Sequence, residues 1–355
     1  MLRIPLLLFL VAGLVLGGTT AVSAQGVDPD GPNPLLGVNF YVDHDSPSWH
    51  QWQAYAAAGD QAKADLIWKI AREPKSLWLG RFTRPNFAVK VRRLIDAAKA
   101  ASSVPLFTVL RAEATSCGPD YQGGGRAADA ATRAWYDDLA RVIGVDRVVI
   151  AFEPDSLGTI DCLARSRRDD RLRLLAYGVT ALSRLPNATV YLEAGASDWE
   201  PAKRTAAQLR AIGIAKVRGF MLNATHYDWT SANIQHGLEI SRRTGGKHFV
   251  INTAENGRGP VSYRTGNGRR VTVWCNPGLR GLGPPPTTST AHSMVDAYLW
   301  INRPGFAQSC QGRSIAWYPQ RALSYARYAT TWEKPPPGTR YGHAKRYPLS
   351  AFGIP

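Results

Sequence analysis

Acidic residues are scarce in this sequence of 355 residues. It has 27 Asp and Glu against 43 Lys and Arg, so its net charge is +16. Such an excess favours contact with acidic surfaces and polyanions, but it does not determine a fold. The 33 glycines and 24 prolines are too few for a collagen-like or low-complexity chain, and a hydrophobic content of 45% excludes wholesale disorder.

Several signatures of metal and phosphate chemistry are missing. The histidines do not have HExxH spacing and the four cysteines do not form a CxxC pair, so a zinc centre is not expected. There is no GxSxG elbow for a serine nucleophile and no Walker A loop for a nucleotide. The sequence therefore predicts no metal and no cofactor.

Long apolar segments are missing beyond the N-terminus. There, Arg3 precedes an apolar run over residues 6–16, and the small residues Val22-Ser23-Ala24 follow. That order is typical of a secretory signal cleaved after Ala24. A retained membrane anchor is the alternative, but the run is shorter than the roughly 20 residues that a span needs. We expect residues 1–24 to be removed and the protein to be secreted, with no membrane attachment.

An even number of cysteines in an exported protein predicts disulfide bonds. Two bonds are expected, and sequence alone allows three pairings. The residues concerned are Cys117, Cys162, Cys275 and Cys310.

Short apolar runs rich in Val, Ile, Phe and Tyr indicate buried strands. They cover Gly37–Val42, Val104–Leu110, Arg147–Phe152, Thr189–Glu193, Gly219–Asn223, His248–Thr253 and Val295–Ile301. Helical spacing of apolar residues predicts helices over Phe87–Ala101, Asp129–Ile143, Asp170–Leu185, Pro201–Ile212 and Ser231–Thr244. The first residues Asp129 and Ser231 are expected as N-caps, and Gly144 and Gly245 as C-caps.

Strands that alternate with helices predict a parallel sheet covered by helices. With this number of strands in about 300 residues, a closed barrel is favoured over an open sheet. We expect one barrel domain over residues 25–333 and a basic, Pro-rich, peripheral tail over residues 334–355. Long loops over residues 255–292 and 302–320 are expected to be functional.

Barrels place their chemistry at the C-terminal ends of their strands. Carboxylates follow the predicted strands here, with Glu153 and Asp155 after RVVIAF, Glu193 after TVYL and Glu255 after HFVI. A carboxyl group in a partly apolar pocket has a raised pKa and can donate a proton near neutral pH. The alternative is that Asp155 or Ser156 merely caps the next helix.

These motifs resemble glycoside hydrolase family 6, the inverting β-1,4-glucanases and cellobiohydrolases. The resemblance covers roughly residues 33–332 and implies a distorted, seven-stranded (β/α) barrel of the TIM-like class that needs no cofactor or metal. The matching segments are Val149–Leu157, Tyr191–Gly195 with Trp199, Asn223–Tyr227, Asn252-Thr253 with Asn256-Gly257, Trp274–Pro277 and Asp296–Trp300.

The resemblance implies a role for several residues. Asp155 matches the family's proton donor. Glucose units would stack on Trp78, Trp199 and Trp274. They would also contact the side chain of Asn223. The implied disulfides are Cys117–Cys162 and Cys275–Cys310.

The sequence departs from the family near the point of cleavage. Ser116 and Gln308 stand where the family has its relay and base aspartates, while Phe306 replaces a sugar-binding glutamate and Asn302 a lysine. Gln308 cannot act as a base, and an inverting glycosidase needs a second carboxylate about 6.5–9.5 Å from the acid to activate water.

Unless water relays the proton elsewhere or hydrolysis is lost, another carboxylate must support the attacking water. We expect Glu113 or Glu193 to do so, with Glu255 as a weaker candidate.

The sequence predicts a secreted, monomeric glucanase that hydrolyses β-1,4-glucan or a related β-linked polysaccharide with inversion. The alternative is a carbohydrate-binding protein that no longer hydrolyses. A basic protein that binds nucleic acid or other polyanions is disfavoured, because no helix carries a basic stripe with interleaved aromatic residues.

Overall fold

Seven parallel strands form the central sheet in a computed structural model that describes residues 27–80, 86–112, 126–264, 270–308 and 315–337. They stand side by side in the order in which they occur in the chain, and a separate hairpin precedes the last of them. The strands are β1 (Leu77–Gly80), β2 (Leu106–Leu110), β3 (Val148–Phe152), β4 (Ala188–Glu193), β5 (Gly219–Leu222), β6 (His248–Asn252) and β9 (Val295–Leu299). An antiparallel hairpin, β7 (Ser262–Arg264) and β8 (Arg270–Thr272), lies between β6 and β9 in the chain.

Helices connect most of the strands, as parallel pairing requires. They are α1 (Pro47–Ala57), α2 (Gln61–Ala71), α3 (Phe87–Ala100), α4 (Arg126–Ile143), α5 (Arg165–Leu182), α6 (Ala202–Ile212), α7 (Thr230–Arg243) and α8 (Pro319–Arg327). Within the described ranges, no helix combines the length and the apolar composition that a membrane span requires.

The sheet curls until its edge strands approach each other. The Ser76 N–H donates to the Trp300 carbonyl at 3.0 Å, and the Trp78 indole N–H donates to the Ile301 carbonyl at 2.8 Å. The described residues of β1 and β9 do not form a regular ladder with each other. The predicted distorted seven-stranded barrel is therefore confirmed, as a curled and only partly closed form.

Two predicted details of the elements are wrong. Gly37–Val42 is not a strand, because only Phe40 pairs, in an isolated bridge to Val104. Asp129 and Ser231 lie inside α4 and α7 rather than at their N-caps. The seventh strand is instead β1, a run of four residues too short to show a period in the sequence.

The core has two layers that hold the strand ends in place. Large apolar side chains fill the space between the sheet and the helices, including Phe107, Phe220 and Phe249, which have no exposed surface. Each such burial contributes about 1.5–3 kcal/mol. The interior of the barrel is lined by Tyr191, Met221 and other buried residues of the strands.

A buried ion pair ties the N-terminal ends of the strands together. Arg218 Nε donates to Asp296 Oδ2 at 2.7 Å, and the Tyr191 hydroxyl donates to the same oxygen at 2.7 Å. His248 Nδ1 lies 2.9 Å from Asp296 Oδ1. This network leaves the opposite, C-terminal ends of the strands for the polar residues of the candidate site.

Candidate active site

Glu153, directly after β3, holds two strand ends together. Its carboxylate accepts the Arg111 and Ala112 N–H groups at 2.9–3.2 Å and the Tyr136 hydroxyl at 2.6 Å. Burial raises its pKa, and these donors act in the opposite direction. With every oxygen engaged and no exposed surface, Glu153 is a structural residue.

Asp155 reaches across the strand ends toward the residues after β5. Its backbone has a left-handed φ of +68°, an uncommon conformation for a residue with a side chain. The Thr225 hydroxyl donates to Asp155 Oδ1 at 2.5 Å. Burial raises the pKa of Asp155, while Thr225 and the nearby His226 lower it. This geometry fits a proton donor better than a helix cap, because the side chain leaves its own segment.

Glu193, the last residue of β4, is the carboxyl partner of Asp155. It is 2% exposed, and its Oε1 accepts the Gly195 N–H at 3.0 Å. Burial, and then the charge of Asp155, raise its pKa well above the usual value. A raised pKa favours the protonated form, so Glu193 is better suited to hold a proton beside Asp155 than to accept one from water.

Gln308 joins the loops on either side of the site. Its amide Nε2 donates to the Thr225 carbonyl at 3.2 Å, and its backbone N–H donates to Asn276 Oδ1 at 2.7 Å. Asn276 Nδ2 in turn donates to the Gln308 carbonyl at 3.1 Å. A continuous path of contacts therefore runs from Asn276 through Gln308 and Thr225 to Asp155.

The tryptophans predicted to stack on sugars differ in accessibility. Trp78 is 7% exposed, and the Arg303 guanidinium lies 5.3 Å from its ring centroid. Trp199 is partly buried and stacks on His226 with ring centroids 4.7 Å apart. Trp274 is 50% exposed, so its ring is available to a ligand.

Asn223 has no exposed surface. Its amide Nδ2 donates to the carbonyls of Asp228 and Asn252, at 3.2 and 3.0 Å, and its Oδ1 accepts the Asp228 N–H at 3.1 Å. This geometry does not support the predicted sugar contact. Through these hydrogen bonds, Asn223 connects the segment after β5 to the segment after β6.

Sequence reasoning missed a histidine–aspartate pair beside Asp155. His226 Nδ1 lies 2.8 Å from Asp198 Oδ1. Burial acts to lower the pKa of His226, but the hydrogen bond to Asp198 and the neighbouring negative charges outweigh it and raise the pKa. The sequence places His226 after a strand, but nothing in it pairs His226 with Asp198, which follows a different strand.

Glu255 is a further buried carboxyl group, 1% exposed. Its Oε2 accepts the Asn302 amide at 2.8 Å. Burial raises its pKa to about 7, against the opposing charges of Arg321 and Arg303. Near neutral pH this group is partly ionised, but its burial keeps it from contact with a substrate water.

Three of the predicted residues lie outside the described ranges, namely Glu113, Cys117 and Cys310. Cys162 and Cys275 are both disulfide-bonded. The pairings themselves remain predictions. Across the part of the chain that the structure describes, no group of three His, Cys, Asp or Glu side chains could hold a metal ion.

A curled parallel barrel with two neighbouring carboxyl groups of raised pKa at the C-terminal ends of its strands defines a barrel protein equipped for acid chemistry. The family model of the glycosyl hydrolases family 6 matches residues 35–334. The chain therefore belongs to glycosyl hydrolases family 6.

Named relatives agree with this assignment. Endoglucanase A of Cellulomonas fimi is 35% identical over 84% of this chain and 62% of its own length. Endoglucanase A of Thermobispora bispora is 30% identical over 84% of this chain and 64% of its own length. The chain thus spans less than two thirds of either relative. The endoglucanase Cel6 structure from Mycobacterium tuberculosis superposes with a TM-score of 0.73 at 37% identity, covering 83% of this chain and 99% of that one.

Proposed function

We propose that this chain is a secreted glucanase that hydrolyses β-1,4-glucan or a related β-linked polysaccharide with inversion. Family membership and the two endoglucanase relatives support a glycosidase activity. The observation that carries the proposal is the pair formed by the partly buried Asp155 and the buried Glu193 at the C-terminal ends of β3 and β4.

Asp155 is the proton donor. Its carboxyl group gives its proton to the glycosidic oxygen as the bond to the anomeric carbon breaks. Burial stabilises the protonated form before the reaction, which suits an acid that works near neutral pH. Thr225 holds the carboxyl group in one orientation through its 2.5 Å hydrogen bond.

Glu193 maintains the proton on the pair. Like charges on two adjacent carboxylates repel, so the pair gives up its second proton only at a higher pH than an isolated group would. In this role Glu193 replaces the aspartate that the family resemblance implies at Ser116.

Glu113 is the base that accepts the proton of the attacking water. Gln308 has no basic atom, the pKa of Glu193 is raised well above its usual value, and Glu255 is buried against Asn302. Glu113 directly follows Ala112 in the sequence, and the Ala112 N–H donates to the Glu153 carboxylate.

One observation favours a second candidate function, carbohydrate binding without hydrolysis. Gln308 joins two loops through hydrogen bonds, so the position of the family base has acquired a structural role. A protein that only binds would keep Trp274 and have no water-activating carboxylate.

Product analysis separates the two candidates. Purified protein is incubated with swollen cellulose and cello-oligosaccharides, and released reducing ends are measured beside Asp155→Asn, Glu113→Gln and an exposed control, Asp169→Asn. A glucanase releases ends, loses activity in the first two variants and keeps it in the control. Proton NMR of the fresh products then identifies the α-anomer that inversion yields. Absence of released ends, together with glucan binding that Trp274→Ala weakens, establishes the binding protein instead.

Export is tested separately. N-terminal sequencing of the protein recovered from the culture medium should begin at Gln25. A chain recovered only with the cells, beginning before residue 25, would contradict secretion with cleavage.

A further inference from the structure

A pocket of about 330 Å³ lies between the loop that follows the hairpin and the start of α8. Its walls include Asn276, Arg280, Tyr318, Gln320 and Arg321. Two arginines contribute to this wall, and among the described residues that line the pocket there is no Asp or Glu. The pocket therefore has a positive character that its own walls do not neutralise.

Arg280 is fixed in the wall of this pocket. Its guanidinium donates to the carbonyls of Gly278, Arg258 and Gly259 at 3.2, 3.0 and 2.5 Å. Burial lowers the pKa of Arg280 to about 10, so the group is still cationic at neutral pH. Backbone carbonyls orient this charge but do not cancel it.

Arg321 has donor capacity left over. Its Nη2 donates to the hydroxyls of Tyr325 and Tyr227, at 2.5 and 3.4 Å, whereas its buried Nε has no hydrogen-bond partner within the described residues. A buried guanidinium N–H without a partner is unfavourable, so the hydrogen-bonding capacity of Arg321 is not exhausted by its own surroundings. The carboxylate that acts electrostatically on Arg321 is Glu255, which does not line the pocket.

The start of α8 adds a third source of positive potential. The helix has nine residues, its N-cap Tyr318 makes no side-chain capping bond, and its first turn has no acidic residue. The N–H groups of Gln320 and Arg321 fall in the first turn, where helix geometry provides no intrahelical acceptor. Helix N-termini with free N–H groups attract anions through these donors and the helix dipole.

The pocket adjoins the proposed catalytic centre. Asn276 lines it, and the path of contacts from Asn276 through Gln308 and Thr225 ends at Asp155. The exposed Trp274 lies two residues before Asn276. The exposed ring and the wall of the pocket therefore belong to the same segment of the chain.

We propose that this pocket binds a carboxylate carried by the glycan, so that the substrate is a β-linked glucan with acidic sugar units. The proposal rests on the proposed function for the glycan, and on the two arginines and the start of α8 for the anionic group. A carboxylate matches a guanidinium fork and a pair of backbone N–H groups equally well. The neutral glucose units of cellulose carry no charge that would match the two guanidinium groups as a carboxylate does.

The test compares two substrates that differ only in charge. Cello-oligosaccharides with some glucose units oxidised at C6 to glucuronate are compared with unmodified oligosaccharides of the same length. The measured quantity is the ratio of kcat/KM for the acidic to the neutral substrate. Gln320→Glu places a carboxylate at the mouth of the pocket, and Gln53→Glu, on the exposed face of α1, is the matched control.

We expect wild type to prefer the acidic substrate by about tenfold, the effect of one charge-assisted contact, and Gln53→Glu to keep that ratio. Gln320→Glu should reduce the ratio to about one, with an unchanged melting temperature as the check on folding. Equal rates of wild type on both substrates would overturn the proposal and leave the glucanase function intact.

If wild type hydrolyses neither substrate, the proposed glucanase function is wrong. Binding of a carboxylate in the pocket is then tested by calorimetry alone. D-glucuronate, D-glucose and inorganic phosphate are then titrated into wild type and Gln320→Glu. Binding of glucuronate that exceeds the other two and is lost in Gln320→Glu upholds the pocket. Binding of phosphate as tight as that of glucuronate shows an unspecific anion site and overturns the assignment of a carboxylate, as does the absence of glucuronate binding.

Discussion

Glu193→Gln is the substitution that best separates the two roles open to Glu193. Glutamine has the shape of the protonated carboxyl group and keeps an oxygen that can accept the Gly195 N–H. Burial and the charge of Asp155 raise the pKa of Glu193 well above its usual value, which favours the neutral form of Glu193 on the acid side of the pH range. The substitution should therefore leave kcat at the acid side of the pH optimum within about threefold of wild type, far from the 10²–10⁴-fold loss of a missing base.

The alkaline side of the profile should stay in place. The charge of Asp155 raises the pKa of Glu193, so in wild type Glu193 holds its proton longer than Asp155 does. Glutamine is uncharged as well, and burial, which raises the pKa of Asp155, is unchanged by the substitution. We expect the alkaline limb of kcat to move by less than the roughly one pH unit that coupling between titrating groups brings.

The assay is kcat for a soluble cello-oligosaccharide between pH 4 and 9, with Asp155→Asn and Asp169→Asn measured in parallel. Asp155→Asn should be inactive at every pH, and the exposed Asp169→Asn should match wild type. A loss of 10²-fold or more in Glu193→Gln at all pH values, without an acid limb, would refute the reasoning and make Glu193 the base.

Three further predictions concern stability and binding. The pKa of Glu255 is about 7 in the folded protein against 4.5 in the unfolded chain, so the folded state binds this proton more tightly. The free energy of unfolding therefore falls as pH rises from 4.5 to 7. Glu255→Gln should remove about 3 kcal/mol of that loss, measured by urea unfolding at pH 5 and pH 8. Asp296→Asn leaves buried Arg218 without its counter-charge and should cost about 3–5 kcal/mol in the same assay, whereas a change under 1 kcal/mol would contradict the role of this pair. Trp274→Ala should weaken cello-oligosaccharide binding by about tenfold in calorimetry with an unchanged melting temperature, and equal affinity would exclude Trp274 from the cleft.

The central strands were predictable because parallel strands buried on both faces read as continuous apolar runs. Predicted and observed bounds differ by at most two residues for β3, β4 and β6. β1 escaped prediction because it is only four residues long, and its place in the sheet depends on pairing with β2 along its whole length. The pairing of two strands that are distant in the sequence cannot be read from the spacing of apolar residues within either strand.

The candidate site was predictable in its acid and less so in its surroundings. Asp155 follows a recognisable strand, and strand ends are where barrels place their chemistry. The same pattern predicts Glu153 equally well, and only the geometry separates them, because Glu153 turns back to the N–H groups of Arg111 and Ala112. His226 and Arg303 could not be assigned from sequence, since their partners come from other strands and loops.

Arg303 shows how the substitutions in one loop act together. Its guanidinium lies 4.2 Å from the Phe306 ring centroid and 5.3 Å from that of Trp78, so it stands between the two rings. The family resemblance implies a sugar-binding glutamate at the position of Phe306, and the apolar ring that stands there gives Arg303 a surface to stack on. Arg303 thereby also lies over the ring of Trp78, which is 7% exposed. We therefore expect a glucose unit to stack on Trp78 only after Arg303 moves away, and the exposed Trp274 to be the stronger stacking site in this conformation.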